Sequence, residues 1–480
     1  MRIGMAAPEP FAQDVAEVVR TFGELGEGEP RLTATLNREG ELWIARAQIG
    51  DARYECRRIG GGSSVADKRQ AKRAIKVAAF RALRAYTGQV QPWGSLTGIR
   101  PSKLAYEMLG QGMAPEAVRE AFQETYDVLP EKAELLMRIV EQQRPILCRD
   151  WRHVADVYVG IPFCRGRCLY CSFPSVDIER RGGLTDAYVA ALCREIAWAG
   201  RVLAERRYRI RGLYFGGGTP TAIPTQQFAT VLEACRVAFG SGFEWTVEAG
   251  RPDTIDRERL ELMRAAGVTR VSVNPQTMNA ATLERVGRKH TPEDILASYA
   301  LVREYPFLVN MDLIAGLPGE GPEEMAYTLE RIAALRPDNL TVHTLAIKRA
   351  SQLKGRPEMA LPGPEAVCRM VEMGAQTAAD LGLEPYYLYR QKYMTGNLEN
   401  VGYARPGTAC LYNVDIMEET LPVMALGAGA ITKWMIHDTL FDRAANVKSV
   451  EQYVERLPEM LQRKEFLLNR ACQSRESPIE

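Results

Sequence analysis

The sequence predicts an α/β fold whose centre is a partial (β/α)6 barrel, with an N-terminal α/β module before it and a C-terminal α/β extension after it. From Val154 onward, six apolar, β-rich runs alternate with helical patterns, and this alternation predicts parallel strands joined by right-handed crossovers. A closed barrel would have eight such units, so six predict a barrel that is open on one side. Polar or glycine-rich residues follow each run. They would therefore lie at the carboxyl ends of the strands, where barrels of this type carry their catalytic and binding residues.

Length and composition limit the class of protein. A chain of 480 residues, 46% hydrophobic and 25% charged, is long enough for two to four domains. The net charge of +1 gives no overall basic field for nucleic acid or a membrane. Residues 1–13 lack the pattern of a secretory signal, and no apolar run is long enough to cross a bilayer. Seven cysteines outside the central motif are scattered, as in reduced proteins, so we expect a cytoplasmic protein without a membrane partner.

The N-terminal module is predicted over residues 1–90. A helix at 11–22, strands at 31–37, 42–49 and 52–59, and a helix at 65–86 follow from the periodicity. This α-β-β-β-α order, with Lys68, Arg69, Lys72 and Arg73 opening the last helix, faintly resembles a double-stranded-RNA-binding domain. The alternative is a solvated basic face. Asp67 and the neutral overall charge favour that alternative, so nucleic acid is not the expected partner.

Residues 91–152 are predicted as a helical linker or docking layer. A turn at 91–94 precedes helical patterns at 102–109, 114–125 and 130–147. Surface helices and a layer docked on the next domain explain this region equally well.

The partial barrel is predicted over residues 153–347. Its strands are expected at 154–159, 212–215, 243–247, 270–273, 309–314 and 339–345, and its helices at 186–205, 226–239, 257–266, 292–304 and 323–335.

Three cysteines follow the first of these strands. Cys164, Cys168 and Cys171 stand at C-x3-C-x2-C spacing. Thiolates so close in sequence suit an iron–sulfur cluster, because a short loop can bend around one corner of it. A closed structural site takes four ligands, whereas three leave one iron with an open position for chemistry. A zinc site completed by a distant ligand is the competing interpretation.

The other strand ends also carry chemically suggestive residues. Each has a structural explanation of its own: Asp312 could cap a turn, Gln276 could satisfy backbone groups, and His343 could be a core histidine. Six such ends meeting at one barrel mouth favour a functional site. The residues are Gly216 to Gly218 with Thr219, then Glu248, Gln276 with Arg288 and His290, Asn310 with Asp312, and His343 with Thr344 and Ala346.

Together these residues resemble the radical S-adenosylmethionine (radical SAM) superfamily, and within it the oxygen-independent coproporphyrinogen III oxidases and their relatives. The match runs from Tyr158 through Ala346 and includes the GGGTPT run at 216–221. Outside the barrel the chain is most similar to the coproporphyrinogen dehydrogenases of the HemZ type. The matching segments are WGSLTGIRP at 93–101, YRQK at 389–392, GN at 396–397, ENVGY at 399–403, MEE at 417–419 and ALGAGA at 425–430.

The resemblance implies a set of cofactor-binding residues. Cys164, Cys168 and Cys171 would bind a [4Fe–4S] cluster, whose open iron would be chelated by SAM. Gly217, Gly218 and Thr219 would line the methionine end of SAM. Its polar groups would be held by Glu248, Gln276, Arg288 and Asp312, since an anion suits ribose hydroxyls and an arginine suits a carboxylate. Tyr158, Tyr170 and Ala346 match further SAM contacts in a family that can hold a second SAM molecule.

The same resemblance implies the reaction and the partners. A 5′-deoxyadenosyl radical would take hydrogen from a propionate of coproporphyrinogen III, and loss of CO₂ would leave a vinyl group. The implied partners are a tetrapyrrole and an electron donor such as flavodoxin or ferredoxin. One departure matters: the oxidases carry a fourth cysteine two residues after the third, where this chain has Phe173 and the haem chaperones have an aromatic residue. A haem-binding chaperone, and a radical SAM enzyme such as a methyltransferase acting on another substrate, remain as alternatives.

The C-terminal extension, residues 348–480, is expected to cover the open side of the barrel and the substrate. Its basic-aromatic cluster is either a tyrosine-rich surface strand or a pocket for a carboxylated tetrapyrrole, with Arg390 or Lys392 binding propionates. The cluster comprises Tyr386, Tyr387, Tyr389, Arg390, Lys392 and Tyr393. Cys410 is interpreted as an ordinary thiol, with a redox thiol as the alternative.

Overall fold

The computed structural model describes residues 1–98, 100–356, 358–392, 394–437 and 440–476. It divides the chain into two compact units. The N-terminal unit comprises Met1–Val140 and Arg390–Glu399, and the barrel unit comprises Glu141–Tyr389 and Asn400–Glu480. The four-part division made from the sequence stays a prediction.

The N-terminal unit combines one sheet with five helices in its described residues. In chain order the elements are β1 (Arg2–Ala6), α1 (Ala12–Phe22), β2 (Glu24–Leu25), β3 (Arg31–Glu39), β4 (Leu42–Ile49), β5 (Ala52–Ile59), α2 (Ser64–Thr87), α3 (Pro101–Gly110), α4 (Pro115–Tyr126) and α5 (Pro130–Gln143), the last residues of which lie in the barrel unit. The strand order is β2-β1-β3-β4-β5.

Local sequence explains the long helix α2. The Ser63 side chain accepts a hydrogen bond from the Ala66 N–H at its start, and Gly88 ends it with φ of +69°. Its buried face is rich in alanine, which allows close packing against α1 and the sheet. The predicted α-β-β-β-α order is wrong in one respect, because β1 and β2 were missed. β1 is five residues long, and it pairs in parallel with β3, a contact between distant residues that no local pattern reveals.

The last predicted helix of this region also ends early. The pattern predicted a helix to residue 147, whereas α5 ends at Gln143. Pro145 explains the difference, because a proline disfavours helical geometry in the residue before it.

The barrel unit is built on an 11-stranded sheet with flanking helices. Its strands are β6 (Val154–Ile161), β9 (Arg209–Gly217), β10 (Glu244–Glu248), β11 (Arg270–Ser272), β12 (Leu308–Ala315), β13 (Asn339–Thr344), β14 (Glu384–Tyr389), β15 (Asn400–Ala404), β16 (Val423–Leu426), β17 (Ile431–His437) and β18 (Leu440–Ala445), while β7 (Phe163–Cys164) and β8 (Val176–Asp177) form a separate pair. Its helices are α6 (Ile178–Arg181), α7 (Thr185–Glu205), α8 (Thr225–Phe239), α9 (Arg257–Ala266), α10 (Ala280–Arg285), α11 (Pro292–Val302), α12 (Pro322–Leu335), α13 (Pro364–Asp380), α14 (Leu411–Glu418), α15 (Val450–Glu455) and α16 (Leu457–Glu476).

The sheet confirms the predicted α/β fold and its six parallel strands. The strand order is β14-β15-β13-β12-β11-β10-β9-β6-β16-β17-β18, and the six from β13 to β6 are mutually parallel. These strands are covered on both faces, so they read in the sequence as apolar runs. Their carboxyl ends lie along one edge, which brings the residues that follow them together.

The C-terminal extension adds strands at both ends of this six-stranded core. β16 pairs in parallel with β6, and β15 pairs antiparallel with β13. Among the described helices, none combines the length and the apolar character needed to cross a membrane.

Candidate active site

The cysteine loop begins directly after β6. Phe163 and Cys164 form β7, and Gly166 turns the chain with φ of +80°. The Leu169 N–H donates to the Val286 carbonyl and the Cys171 N–H to the Cys168 carbonyl, each at 3.0 Å. The protein's own main chain therefore fixes the loop's conformation.

The three thiols lie close enough to influence one another. Burial, together with the neighbouring Cys168 and Cys171, raises the pKa of Cys164 to about 11. The Thr219 hydroxyl donates a hydrogen bond to the Cys164 sulfur at 3.7 Å. Within the part of the chain that the structure describes, no group of three or more metal-binding side chains is arranged around a single ion. A cluster needs no such tight group, because each cysteine binds a different iron.

Glycines of the second strand end allow a close approach to this loop. The Gly218 N–H donates to the Ile161 carbonyl at 2.9 Å, and the Thr219 N–H donates to the Phe163 carbonyl at 2.7 Å. A Cβ added at Gly218 would lie 2.5 Å from the Phe163 oxygen, and Gly217 has φ of +107°. Both positions therefore require glycine.

Glu248 ends β10 with its carboxyl group buried in the barrel. The Tyr214 hydroxyl donates to it at 2.5 Å. Burial raises the pKa of Glu248 to about 7, and the nearby Asp312 carboxylate contributes to the increase. The group can therefore gain or lose a proton near neutral pH.

Asp312, inside β12, meets Gln276, which lies in the segment after β11. The Gln276 N–H donates to the Asp312 carbonyl at 2.9 Å, and Gln276 adopts φ of +69°. Its side-chain oxygen is buried and has no hydrogen-bond partner among the described residues, so it is available to a ligand donor. Burial alone would raise the pKa of Asp312, but His343 and Asn310 outweigh it and bring the pKa below its ordinary value. Asp312 is therefore an anion, with the His343 ring 3.8 Å away.

Arg288 links two further strand ends to Tyr170. Its guanidinium donates to the Gly250 carbonyl at 2.9 Å, the Asn274 carbonyl at 2.6 Å and the Tyr170 hydroxyl at 3.2 Å. Its Nε also donates to the His290 ring, and burial with nearby arginines lowers the pKa of His290 to about 3. These bonds hold a buried cation at the mouth, and they restrict how many donors it can offer to a ligand.

A stack of tyrosines fills the barrel interior below Glu248. The ring centroids of Tyr214 and Tyr412 are 4.6 Å apart, and the Tyr158 ring lies 6.4 Å from each. The sequence interpretation missed Tyr214 and Tyr412. Tyr214 could have been found, because it precedes Gly216 by two residues and strand alternation puts both on one face. Nothing in the local sequence places Tyr412, on α14, in this stack.

Two other residues singled out from the sequence are Ala346, an expected SAM contact, and Phe173. Ala346 follows β13, between Leu345 and Ile347, and both neighbours pack in the apolar cluster that includes Tyr170. Phe173, at the position of the oxidases' fourth cysteine, is 60% exposed, with the Lys348 ammonium 6.0 Å from its ring.

The basic-aromatic cluster is not a surface strand. Tyr386 and Tyr387 are buried in the barrel unit, while Arg390 and Lys392 belong to the N-terminal unit. Arg390 donates to the Leu96, Asn397 and Leu398 carbonyls, so its guanidinium is already engaged by the backbone. Tyr393 lies outside the described residues.

Cys410 is buried. Burial, followed by the Glu244 carboxylate, raises the pKa of the thiol well above its ordinary value, as expected for an unreactive cysteine.

The residues present fit the expected cofactors. Three soft sulfur donors on one loop suit a cluster, and the glycines leave room beside it for a ligand. The buried Gln276 oxygen and the Asp312 carboxylate offer acceptors for amino and hydroxyl groups. The roles of the individual SAM-contacting residues stay predictions.

Known proteins match the central part of the barrel and, over a longer alignment, most of the chain. The radical SAM superfamily model matches residues 158–332. The chain is 39% identical over 397 residues to the oxygen-independent coproporphyrinogen-III oxidase-like protein HemZ of Bacillus subtilis, covering 81% of this chain and 79% of HemZ. It is 26% identical to the haem chaperone HemW of the same organism, covering 63% and 76%.

Among solved structures, coproporphyrinogen III oxidase (HemN) from Escherichia coli, described as a radical SAM enzyme, matches with a TM-score of 0.53. The two are 26% identical, and the match covers 67% of this chain and 73% of HemN. The chain therefore belongs to the radical SAM family of oxygen-independent coproporphyrinogen-III oxidase-like proteins, which use a [4Fe–4S] cluster and S-adenosylmethionine.

Proposed function

We propose that this protein catalyses the oxygen-independent oxidative decarboxylation of coproporphyrinogen III, converting two propionate side chains to vinyl groups and yielding protoporphyrinogen IX. The observation that carries the proposal is that three features lie together at one barrel mouth, in a chain similar to HemN and HemZ. They are the cysteine loop, the glycines Gly217 and Gly218, and the buried hydrogen-bond acceptors of Gln276 and Asp312. A tetrapyrrole is the proposed substrate.

Cys164, Cys168 and Cys171 would hold the cluster, and the bound cofactors would supply the one-electron chemistry that takes one hydrogen atom from each reacting propionate. The substrate then loses CO₂ and gives one electron to an acceptor, which leaves the vinyl group. The electron that starts each turnover comes from a donor such as flavodoxin or ferredoxin.

The chain's own residues orient the reactants and exclude water. The buried stack of Tyr158, Tyr214 and Tyr412 closes the barrel below the reacting groups. Tyr214 holds the Glu248 carboxyl group at the mouth, and the Asp312 anion accepts hydrogen bonds from ligand hydroxyls. Holding the substrate's C–H bond in a fixed, dry position is the protein's contribution to the rate.

The test is a reconstitution under anaerobic conditions. The protein is loaded with iron and sulfide and incubated with reductant, SAM and coproporphyrinogen III. We expect 5′-deoxyadenosine and a tetrapyrrole that has lost two carboxyl groups. Cys168→Ala should abolish both products, whereas Cys193→Ala, a partly buried thiol on α7, should retain them. Formation of 5′-deoxyadenosine while the tetrapyrrole stays unchanged would refute the proposal that coproporphyrinogen III is the substrate.

A haem-binding chaperone is the second candidate, and Phe173 favours it. This exposed side chain stands where the oxidases have a cysteine, and HemW is similar over 63% of the chain. Stoichiometric haem binding without turnover of coproporphyrinogen III would support the chaperone and refute the oxidase.

A further inference from the structure

The N-terminal unit contains a cavity of about 270 Å³ to which radical SAM chemistry gives no role. One wall is α2, and other lining residues come from 95–98, 100–101 and Leu104. All of these except Leu104 lie within the 93–101 segment, on which the family resemblance partly rests. Tyr126, the last residue of α4, also contributes. The lining residues are Arg69, Lys72, Arg73, Lys76, Val77, Ser95, Leu96, Thr97, Gly98, Arg100, Pro101, Leu104 and Tyr126.

Of the described lining residues, five are charged and all five are cations. The carboxylates that pair with them lie outside the lining: Glu107 binds Arg69 at 3.1 Å and Arg73 at 3.2 Å. Asp14 likewise binds Lys72 at 2.6 Å. These carboxylates allow several cations to stand close together, and Glu17 adds a third by accepting a hydrogen bond from the Thr97 hydroxyl at 3.3 Å. The charged side chains of the lining itself are all positive.

Lys76 lies deepest in this charged group. It is half-buried, and its ammonium donates to the Thr97 hydroxyl. Burial, and then the neighbouring Lys72, lowers the pKa of Lys76 to about 8. The Glu17 and Asp14 carboxylates offset this lowering only in part, so an anionic ligand beside Lys76 would stabilise the ammonium further.

The start of α3 adds to the positive potential. Pro101 is the first residue of the helix and Arg100 precedes it, and both line the cavity. In the described part of the chain, no side-chain hydrogen bond caps this helix start. The positive end of a helix favours an anion nearby, which reinforces the five cations.

Beside the cations and the hydroxyls of Ser95 and Thr97, the lining has an apolar part. Val77, Leu96, Leu104 and Tyr126 provide aliphatic and aromatic surface next to the cations. A bare inorganic anion would leave this surface unfilled. The volume is slightly below the roughly 300–1,000 Å³ typical of small-molecule sites. It is too small for a tetrapyrrole but adequate for one ring system with an anionic group.

We propose that this cavity binds a small organic anion, with a phosphate, sulfonate or carboxylate group against Arg73, Lys76 and Arg100 and an apolar ring against Leu104 and Tyr126. The site is independent of the proposed oxidase function.

The test uses the full-length protein and 8-anilinonaphthalene-1-sulfonate, an aromatic sulfonate that fluoresces when bound. We expect saturable 1:1 binding that inorganic phosphate weakens by competing for the cations. Lys76→Met should weaken it at least tenfold. Arg119→Gln removes an exposed cation of α4 outside the lining and should leave the affinity unchanged.

A second variant guards against misfolding of the first. Leu104→Trp fills the cavity without changing its charge and should also weaken binding at least tenfold, with circular dichroism and thermal unfolding like those of the unmodified protein. Equal affinities in Lys76→Met, Leu104→Trp and Arg119→Gln would overturn the proposal. Displacement of the probe by duplex RNA but not by phosphate would overturn it in favour of a nucleic-acid site.

Discussion

Replacing Gly218 with alanine should separate cofactor placement from folding. The added Cβ would lie 2.5 Å from the Phe163 oxygen, about 1 Å closer than ordinary van der Waals contact. The neighbouring atoms are all main chain, between β6 and the first cysteine, so the strand ends themselves must move apart. Such overpacking costs about 1–3 kcal/mol.

The functional effect should exceed the loss of stability. A misplacement of about 1 Å can cost about 100-fold in rate, since the reacting groups must be held in register. We therefore expect Gly218→Ala to retain its secondary structure and bound iron while 5′-deoxyadenosine formation falls about 100-fold.

The assay is anaerobic SAM cleavage with dithionite, measured beside iron content and thermal unfolding. Gly183→Ala is the matched control, because Gly183 is exposed and a Cβ there meets nothing within 4 Å. A rate of SAM cleavage by Gly218→Ala within threefold of that of the control would refute the proposal that Gly217 and Gly218 position the cofactor.

Three further predictions concern single side chains. Glu248→Gln removes a carboxyl group whose pKa is raised to about 7 in the folded protein. In the unmodified protein this group lowers the free energy of unfolding as pH rises above the ordinary glutamate pKa, because the folded state holds a proton that the unfolded state releases. The variant has no such pH-dependent loss. The melting temperature of the variant relative to the unmodified protein should therefore increase from pH 5 to pH 8, and a constant difference would contradict the buried carboxyl. Lys464→Met leaves the buried Glu195 without its ion-pair partner and should lower the free energy of unfolding by about 3–5 kcal/mol, measured by denaturant unfolding of the barrel unit. The double variant Glu195→Gln with Lys464→Met should recover part of this loss. A loss below about 1 kcal/mol in Lys464→Met would contradict the buried ion pair. Tyr214→Phe keeps the ring stack but removes the hydrogen bond to Glu248, so SAM affinity should change while the free energy of unfolding stays within about 1 kcal/mol. Unchanged SAM affinity would exclude a role for this hydrogen bond in positioning Glu248.

Much of the barrel could be predicted because its parallel strands are buried on both faces. Such strands read as continuous apolar runs, and the helix pattern at 257–266 coincides with α9. The strand β1 was missed because its pairing with β3 joins distant residues. The early end of α5 was missed although Pro145 signals it.

The candidate site shows a similar limit. The positions of residues at strand ends follow from topology, so Cys164 after β6 and Glu248 at the end of β10 could be placed at one mouth from the sequence. Asp312 lies inside β12, three residues before its end. The partners of Arg390 could not, because its hydrogen bond to the Leu96 carbonyl joins residues far apart in the chain. The stack beneath Glu248 likewise depends on Tyr412, which α14 brings in from the C-terminal extension.

The most direct test of the proposed function follows the hydrogen atom itself. Coproporphyrinogen III carrying deuterium on its reacting propionate carbons is incubated with the reconstituted protein, SAM and reductant, and the 5′-deoxyadenosine is analysed by mass spectrometry. We predict one deuterium in the 5′-deoxyadenosine for each vinyl group formed. Unlabelled 5′-deoxyadenosine, with the deuterium retained in the tetrapyrrole, would contradict the proposal that this barrel acts on a propionate.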